Sequence, residues 1–229
     1  MLWLVLAILA AGVLCFPGYW VRRTLRKYSE PGDRYRRQGT GADLARHLLA
    51  HQGLANVAVE MTAAADHYDP SSCTVRLTES HYAGHSLTAI AVAAHEVGHA
   101  LQHADRNPLL GLRTRMVRGL QQVQILARIA LIGAPLVLLL TRSPTTAAAT
   151  AMVAIAPLAL GAMVHLVTLP VELDASFNRA LPLLVQGRHL HPGDLPHARR
   201  ILTAAALTYL GNALLAALSL GYWLRALRR

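Results

Sequence analysis

Hydrophobic and polar positions divide this chain into four apolar runs and one polar block. The runs, rich in Leu, Ala, Val and Ile, cover residues 1–20, about 123–140, about 146–169 and about 201–224. At about 1.5 Å rise per residue, each is long enough for about 30 Å of hydrocarbon. The first three carry almost no charge, Arg128 being the exception, and the fourth is softened by Thr203, Thr208, Tyr209 and Asn212. The first reads as an uncleaved anchor, because no basic residue precedes it and Arg22, Arg23, Arg26 and Lys27 follow it. This pattern predicts a mainly α integral membrane protein with about four transmembrane helices and a small α+β cytoplasmic domain. The expected divisions are a transmembrane anchor over 1–20, the cytoplasmic domain over 21–122 and a transmembrane hairpin over 123–170. A cytoplasmic segment over 171–200 and a C-terminal transmembrane helix with a basic tail over 201–229 complete the chain.

Within the polar block, Thr40 can cap a helix over Gly41–Gln52 that places Leu44, Leu48 and Leu49 on one face and stops at Gly53. Asn56–Met61 and Thr74–Glu79 alternate as strands do, with a strong turn at Asp69-Pro70-Ser71-Ser72 between them. Ser86 then opens a second helix of good helix formers that runs through His103, ahead of Asn107-Pro108.

That second helix contains His95-Glu96-Val97-Gly98-His99. Two imidazoles one helical turn apart share a face and can grip one Zn²⁺, and the carboxylate beside the first can act as general base toward a water. The domain is therefore expected to be zincin-like, with one Zn²⁺ per chain held by His95 and His99 and with Glu96 as the catalytic base. A catalytic zinc needs a third protein ligand and an open position. Downstream of Asp105 the chain offers only Glu172, Asp174 and Asp194. If 123–169 goes out and back, Glu172 returns to the face that carries His95 and His99. Glu172 is favoured over Asp174, a solvated helix cap being the plainer role of either. Strands preceding the metal helix also provide an edge able to hold an extended peptide by main-chain hydrogen bonds.

Composition sharpens this picture. Of the 229 residues 54% are hydrophobic, which favours membrane spans over an ordinary soluble domain. The net charge of +10 does not point to nucleic acid, since the basic residues border the apolar runs and no aromatic platform is interleaved with them. Segments 21–40, 103–122 and 171–200 hold seven, four and four basic residues. The positive-inside rule therefore assigns these segments and the catalytic domain to the cytoplasm. Only Cys15 and Cys73 occur, so no disulfide framework is available.

The motif at His95–His99, the preceding Asp66-His67-Tyr68-Asp69-Pro70 and Val75–Ser80, and the later Leu169-Pro170-Val171-Glu172-Leu173-Asp174-Ala175-Ser176 resemble the bacterial YugP-type membrane zinc metallopeptidases. The resemblance covers nearly the whole chain, including Ala204–Tyr209. It implies a neutral zinc endopeptidase of the bacterial inner membrane, multi-pass, distantly related in logic to the HtpX-like gluzincins. The substrate would be a membrane-associated protein or peptide, and the lipid bilayer the other partner. Oligomeric state stays open. Carried over, the resemblance makes Glu172 the third ligand. It also exposes a departure: those gluzincins commonly have Asp four residues after that Glu, and Ser176 stands here. Asp174 is the expected substitute for orienting a His ligand.

The oxyanion of peptide hydrolysis needs a donor, and the candidates are His67, Tyr68, Tyr82, Arg179 and Tyr209. His81, His85, His189, His191 and His197 are scattered in polar stretches, and a second metal site among them is not expected. Two alternatives stand beside this assignment. One is a site-2-type intramembrane protease with Asp174 as ligand in the pair Leu173-Asp174. The other is a non-catalytic zinc-binding membrane scaffold, which would gain nothing from a general base at Glu96.

Overall fold

Residues 16–208 are described in the structure, a computed structural model. A helix over 16–28 (α1) leads into α2, Gly41–His51. The start of α2 is fixed by a reciprocal cap: Asp43 N–H donates to Thr40 Oγ1 at 3.1 Å, and Thr40 N–H donates to Asp43 Oδ2 at 3.0 Å. Its apolar face, Ala42, Leu44, Ala45, Leu48 and Leu49, is buried. Three short strands follow: β1 (Ala58–Thr62), β2 (His67–Asp69) and β3 (Thr74–Thr78). Their order is β1-β3-β2, with β1 parallel and β2 antiparallel to β3, so one side of β2 is a sheet edge.

After a single turn, α3 (Glu79–Tyr82), comes the central helix α4, Leu87–Ala104, whose first turn is capped by Ser86 Oγ accepting from Ala89 N–H at 3.1 Å. Ala89, Ala91, Ala93, Ala94, Gly98 and Ala100 give α4 small side chains on most faces, and nearly the whole helix is buried. Small residues let neighbours approach from several sides. On one side lie α2 and the sheet. On the other lies a π-helical segment, Asp174–Ala180, which continues into α7 (Leu181–Gln186) and is followed by α8 over 195–208. Leu49, Leu77, Ile90, Val97, Leu184, Ile201 and Leu202 meet in one core around α4.

Two long helices, α5 (Pro108–Thr141) and α6 (Pro144–Leu173), pack along each other and turn at Arg142 in the left-handed region, φ 49°. Pro108 occupies the first helical position, and Asn107 Oδ1 accepts from Leu109 N–H at 2.9 Å.

This architecture corrects the expectation of four transmembrane helices. Among the described residues no single helix is long and apolar enough to cross a membrane. In α5 the apolar stretch is continuous with Arg113, Arg115 and Arg118, and the axis bends by 52° between Pro108–Ala130 and Pro135–Thr141. Among the described residues only that bent pair together meets the requirement of length and composition. Pro135 cannot donate a backbone hydrogen bond, so it is a natural breaking point. The end of α6, with Val164, Thr168, Val171 and Glu172 buried, is packed in protein. Residues 201–208 likewise belong to a core helix, with Ile201, Leu202, Ala204 and Ala206 fully buried. The rest of the expected C-terminal run, its basic tail, and residues 1–15 of the expected anchor lie outside the described residues. The described structure is thus mainly helical with one small sheet.

Candidate metal centre and active site

On α4, the one-turn spacing stacks His95 and His99 on a single face, ring centroids 4.8 Å apart. The last turn of α6 brings Glu172 against them. Its Oε2 lies 3.1 Å from His95 Nε2 and 3.2 Å from His99 Nε2. His95, His99 and Glu172 are all buried, and their ligand atoms lie within 4.8 Å of one another.

Hydrogen bonds behind the rings decide which nitrogen faces the carboxylate as a lone pair. Gln102 donates its amide NH₂ to the Val171 carbonyl at 2.8 Å and to Asp174 Oδ2 at 2.7 Å. Its carbonyl oxygen must therefore face His99 Nδ1, 2.9 Å away, and can only accept. His99 Nδ1 therefore carries a proton, and in the neutral ring the Nε2 lone pair points at Glu172. Ser176 works the same way on the other ring. Its hydroxyl donates to the Leu202 carbonyl at 3.2 Å, so its oxygen accepts from His95 Nδ1 at 3.0 Å. With the rings neutral, two lone pairs and a carboxylate oxygen converge. Such a donor set is able to hold a cation, and imidazole with carboxylate suits Zn²⁺.

Glu172 adds a buried carboxylate to the set. Burial acts to raise its carboxyl, but positive charge and N–H donation from the two rings outweigh burial and hold it well below the usual carboxylate range. Where the rings are neutral, a cation takes that part. Its Oε1 is buried without a hydrogen bond among the described residues, 3.4 Å from Arg113 Nη2.

A cleft of about 270 Å³ opens over the three residues. Glu96 faces it, together with Asp66, His67 and Tyr68 from the β2 edge and Arg113 from α5. Val21, Leu25, Val92 and Ala205 form an apolar wall. Burial, with smaller contributions from Glu172 and Asp66, pushes the Glu96 carboxyl up to about 7 against the opposing pull of His95.

The sequence-expected residues fall into three groups. His95, Glu96, His99 and Glu172 come together, with His67 and Tyr68 beside them. His67 Nδ1 faces the Ala65 carbonyl at 2.8 Å, and the Tyr68 hydroxyl pairs with His103 Nδ1 at 2.8 Å. Three others are engaged outside the cleft. Tyr82 takes Arg46 Nη2 at 2.6 Å; Arg179 binds Asp105 at 2.6 Å and Asp174 at 3.0 Å. Asp174 spends its oxygens on Gln102, Asn178 and Arg179. It therefore supports His99 through Gln102, and no His ligand touches it directly. Tyr209 lies outside the described residues. Three residues the sequence pattern does not single out are Gln102, Ser176 as a partner of His95, and Arg113. Gln102 does carry a signal: it sits three residues after His99, on the same helix face.

A family model described as "Putative neutral zinc metallopeptidase" matches residues 3–228. The chain is 34% identical over 218 residues, 93% of its length and 91% of the relative's, to a protein of Bacillus subtilis (strain 168) named "Putative membrane protease YugP". No solved structure matches. With a family match over nearly all of its residues, this chain belongs to the neutral zinc metallopeptidase family so described.

Proposed function

We propose that this protein is a zinc-dependent endopeptidase acting on membrane-associated protein substrates, with His95, His99 and Glu172 as ligands and Glu96 as general base. The observation that carries it is the convergence of two imidazole lone pairs and a carboxylate oxygen whose proton positions are fixed from behind by Ser176 and Gln102. Zinc held there would polarise a substrate carbonyl and make a water acidic enough to attack, with a pKa of about 7.

The chain's own groups do the rest. Glu96, poised near neutrality by its burial, takes a proton on its carboxylate and returns it to the leaving nitrogen. The free edge of β2 pairs with the substrate main chain, and the apolar wall of Val21, Leu25, Val92 and Ala205 receives a hydrophobic side chain. Arg113 supplies a permanent positive charge at the cleft, suited to steadying the oxyanion. His67 is less suited: with Nδ1–H given to the Ala65 carbonyl, its Nε2 can donate only as imidazolium.

Membrane association rests on the relative's name and on the outer faces of α5, where Leu126, Ile129, Ile132 and Leu139 are exposed, and of α6, where Met163 and Leu166 are. The arginines at the start of α5 favour the cytoplasmic face of a bacterial inner membrane.

Zinc content of the purified protein tests the ligands. Glu172→Ala should lose the metal, Asp174→Ala should keep it, and Glu96→Gln should keep it while peptide hydrolysis disappears. Loss of metal only in Asp174→Ala would replace this assignment with the site-2-type one. Undiminished cleavage by Glu96→Gln would refute the base.

A further inference from the structure

A second cavity, of about 670 Å³, lies beside the cleft. It opens between Pro70 of the β2–β3 turn, the end of α4 at His103 and Arg106, and the face of α5 that carries Thr114, Arg115 and Arg118. His103 Nδ1, 2.8 Å from the Tyr68 hydroxyl, marks its border with the cleft. No carboxylate is among its lining residues. Of the acids closest in sequence, Asp69 is held by Ser71, Ser72 and Arg76, and Asp105 by Arg179. Arg106 and Arg118 have no ion pair or side-chain hydrogen bond among the described residues, and Arg115 has only the Gly111 carbonyl, at 3.3 Å.

The basic face is continued by hydrocarbon. At about 3.6 residues per turn, Thr114, Arg115, Arg118, Ile125, Leu126 and Ile129 fall in one sector of about 120° around α5. Ile125, Leu126 and Ile129 are each more than half exposed. The opposite side of α5 faces α6: a Cβ at Gly161 would touch Leu120 at 4.0 Å, and Ala127 is buried. Arg128 stands outside the sector. The three apolar side chains lie about 10–16 Å along the axis from Arg118, within reach of the roughly 15 Å of hydrocarbon in one leaflet.

We propose, on the basis of the membrane association above, that the cavity holds the headgroup of an anionic phospholipid whose acyl chains lie along Ile125, Leu126 and Ile129. Arginine suits the phosphodiester because its planar fork offers paired N–H donors to two phosphate oxygens. The first turn of α5 turns the positive end of its dipole to the same space. A free phosphate ester or an acidic peptide would meet the charge and leave the apolar stripe uncovered, whereas a phospholipid covers both. His103 stands one turn beyond His99 on α4, about 6 Å along the axis, so a headgroup held here fixes the cleft at the level of the membrane surface.

The test is calorimetric titration of the full-length protein, in a neutral maltoside detergent, with dihexanoyl phosphatidylglycerol, dihexanoyl phosphatidylcholine, glycerol phosphate and hexaglutamate. Wild type should prefer phosphatidylglycerol. Arg115 and Arg118 are exposed, and each arginine near an anionic headgroup is worth about fivefold in affinity. Arg115→Gln combined with Arg118→Gln should therefore weaken phosphatidylglycerol roughly 25-fold and leave phosphatidylcholine unchanged. Leu126→Gln combined with Ile129→Gln should weaken both lipids alike without moving glycerol phosphate. Arg199→Gln, an exposed change outside the cavity, should match wild type. Equal wild-type affinity for the two lipids would overturn the site, and so would a preference undiminished in the arginine double variant. Glycerol phosphate bound as tightly as phosphatidylglycerol would assign the cavity to free phosphate esters, and hexaglutamate bound so would assign it to acidic protein segments; either result overturns the lipid. The membrane reading fails separately, if wild type is recovered in the soluble fraction after ultracentrifugation of broken cells, whatever the titrations give.

Discussion

Gly98, in the turn between His95 and His99, is where the smallest chemical change should have the largest effect on the proposed metal centre. A Cβ there would lie 2.5 Å from the carbonyl oxygen of Ala175, with the carbonyl carbon at 3.2 Å and Cα at 3.3 Å. An ordinary C···O contact is about 3.4 Å, so Gly98→Ala must push the two backbones apart by about 1 Å. Ala175 lies between Glu172 and Ser176, so this displacement reaches the third ligand and the partner of His95 together. Metal sites tolerate about 0.2 Å in ligand distance, and a disturbed orienting shell costs roughly 10–100-fold in affinity. Stability moves less. Overpacking costs about 1–3 kcal/mol, against about 1 kcal/mol gained from placing Ala in a helix. We expect Gly98→Ala to fold, to lose at most about 2 kcal/mol, and to bind Zn²⁺ at least tenfold more weakly in competition with a chromophoric chelator. Gly111→Ala is the control, because a Cβ there meets nothing within 4 Å. Wild-type zinc affinity in Gly98→Ala would refute the claim that close approach of α4 to the Asp174–Ala180 segment sets the geometry.

Two further outcomes follow from the same network and its surroundings. Ser176→Ala removes the acceptor for His95 Nδ1 and should weaken zinc binding about tenfold while Glu96→Gln leaves it unchanged, a contrast readable in the same chelator assay. Asp194 is buried, and burial acts to raise its carboxyl, but Arg34 at 2.6 Å and the Tyr35 hydroxyl at 2.8 Å outweigh this and hold it below the usual carboxylate range. A depressed folded-state value contributes stability that is present above about pH 4 and lost as pH falls through the folded value. Urea unfolding of wild type should therefore steepen in its pH dependence below about pH 4, and Asp194→Asn should flatten that limb and cost about 2 kcal/mol at pH 7. Parallel profiles for the two proteins would contradict it.

What could be read before folding was local. Thr40 and Ser86 are caps because a side-chain oxygen three residues ahead of a free N–H is a short-range arrangement. The strands at Ala58–Thr62 and Thr74–Thr78 fall within a residue or two of the alternating stretches, and the histidine pair needs nothing beyond one helical turn. β2 was missed because three residues are too few to show a period. Apolar length misled where the chain packs on itself: Ile201, Leu202 and the tail of α6 are hydrophobic because protein covers them, and a run buried by protein has the same composition as one buried by lipid. The role of Ser176 was invisible for another reason. It depends on the widened turn of the Asp174–Ala180 segment and on the carbonyl of Leu202, neither of which leaves a mark in spacing.

The two halves of the proposed metal centre are also separated in time. His95 and His99 precede Glu172 by 77 and 73 residues, and Ser176 needs Leu202, 26 residues later still. At a synthesis rate of about 5–20 residues per second, the imidazole pair leaves the ribosome several seconds before its carboxylate partner. The growing chain therefore carries an incomplete ligand set for as long as it is unfolded and exposed. Distance along the polypeptide thus withholds the complete set of proposed ligands until most of the chain that surrounds it has been made.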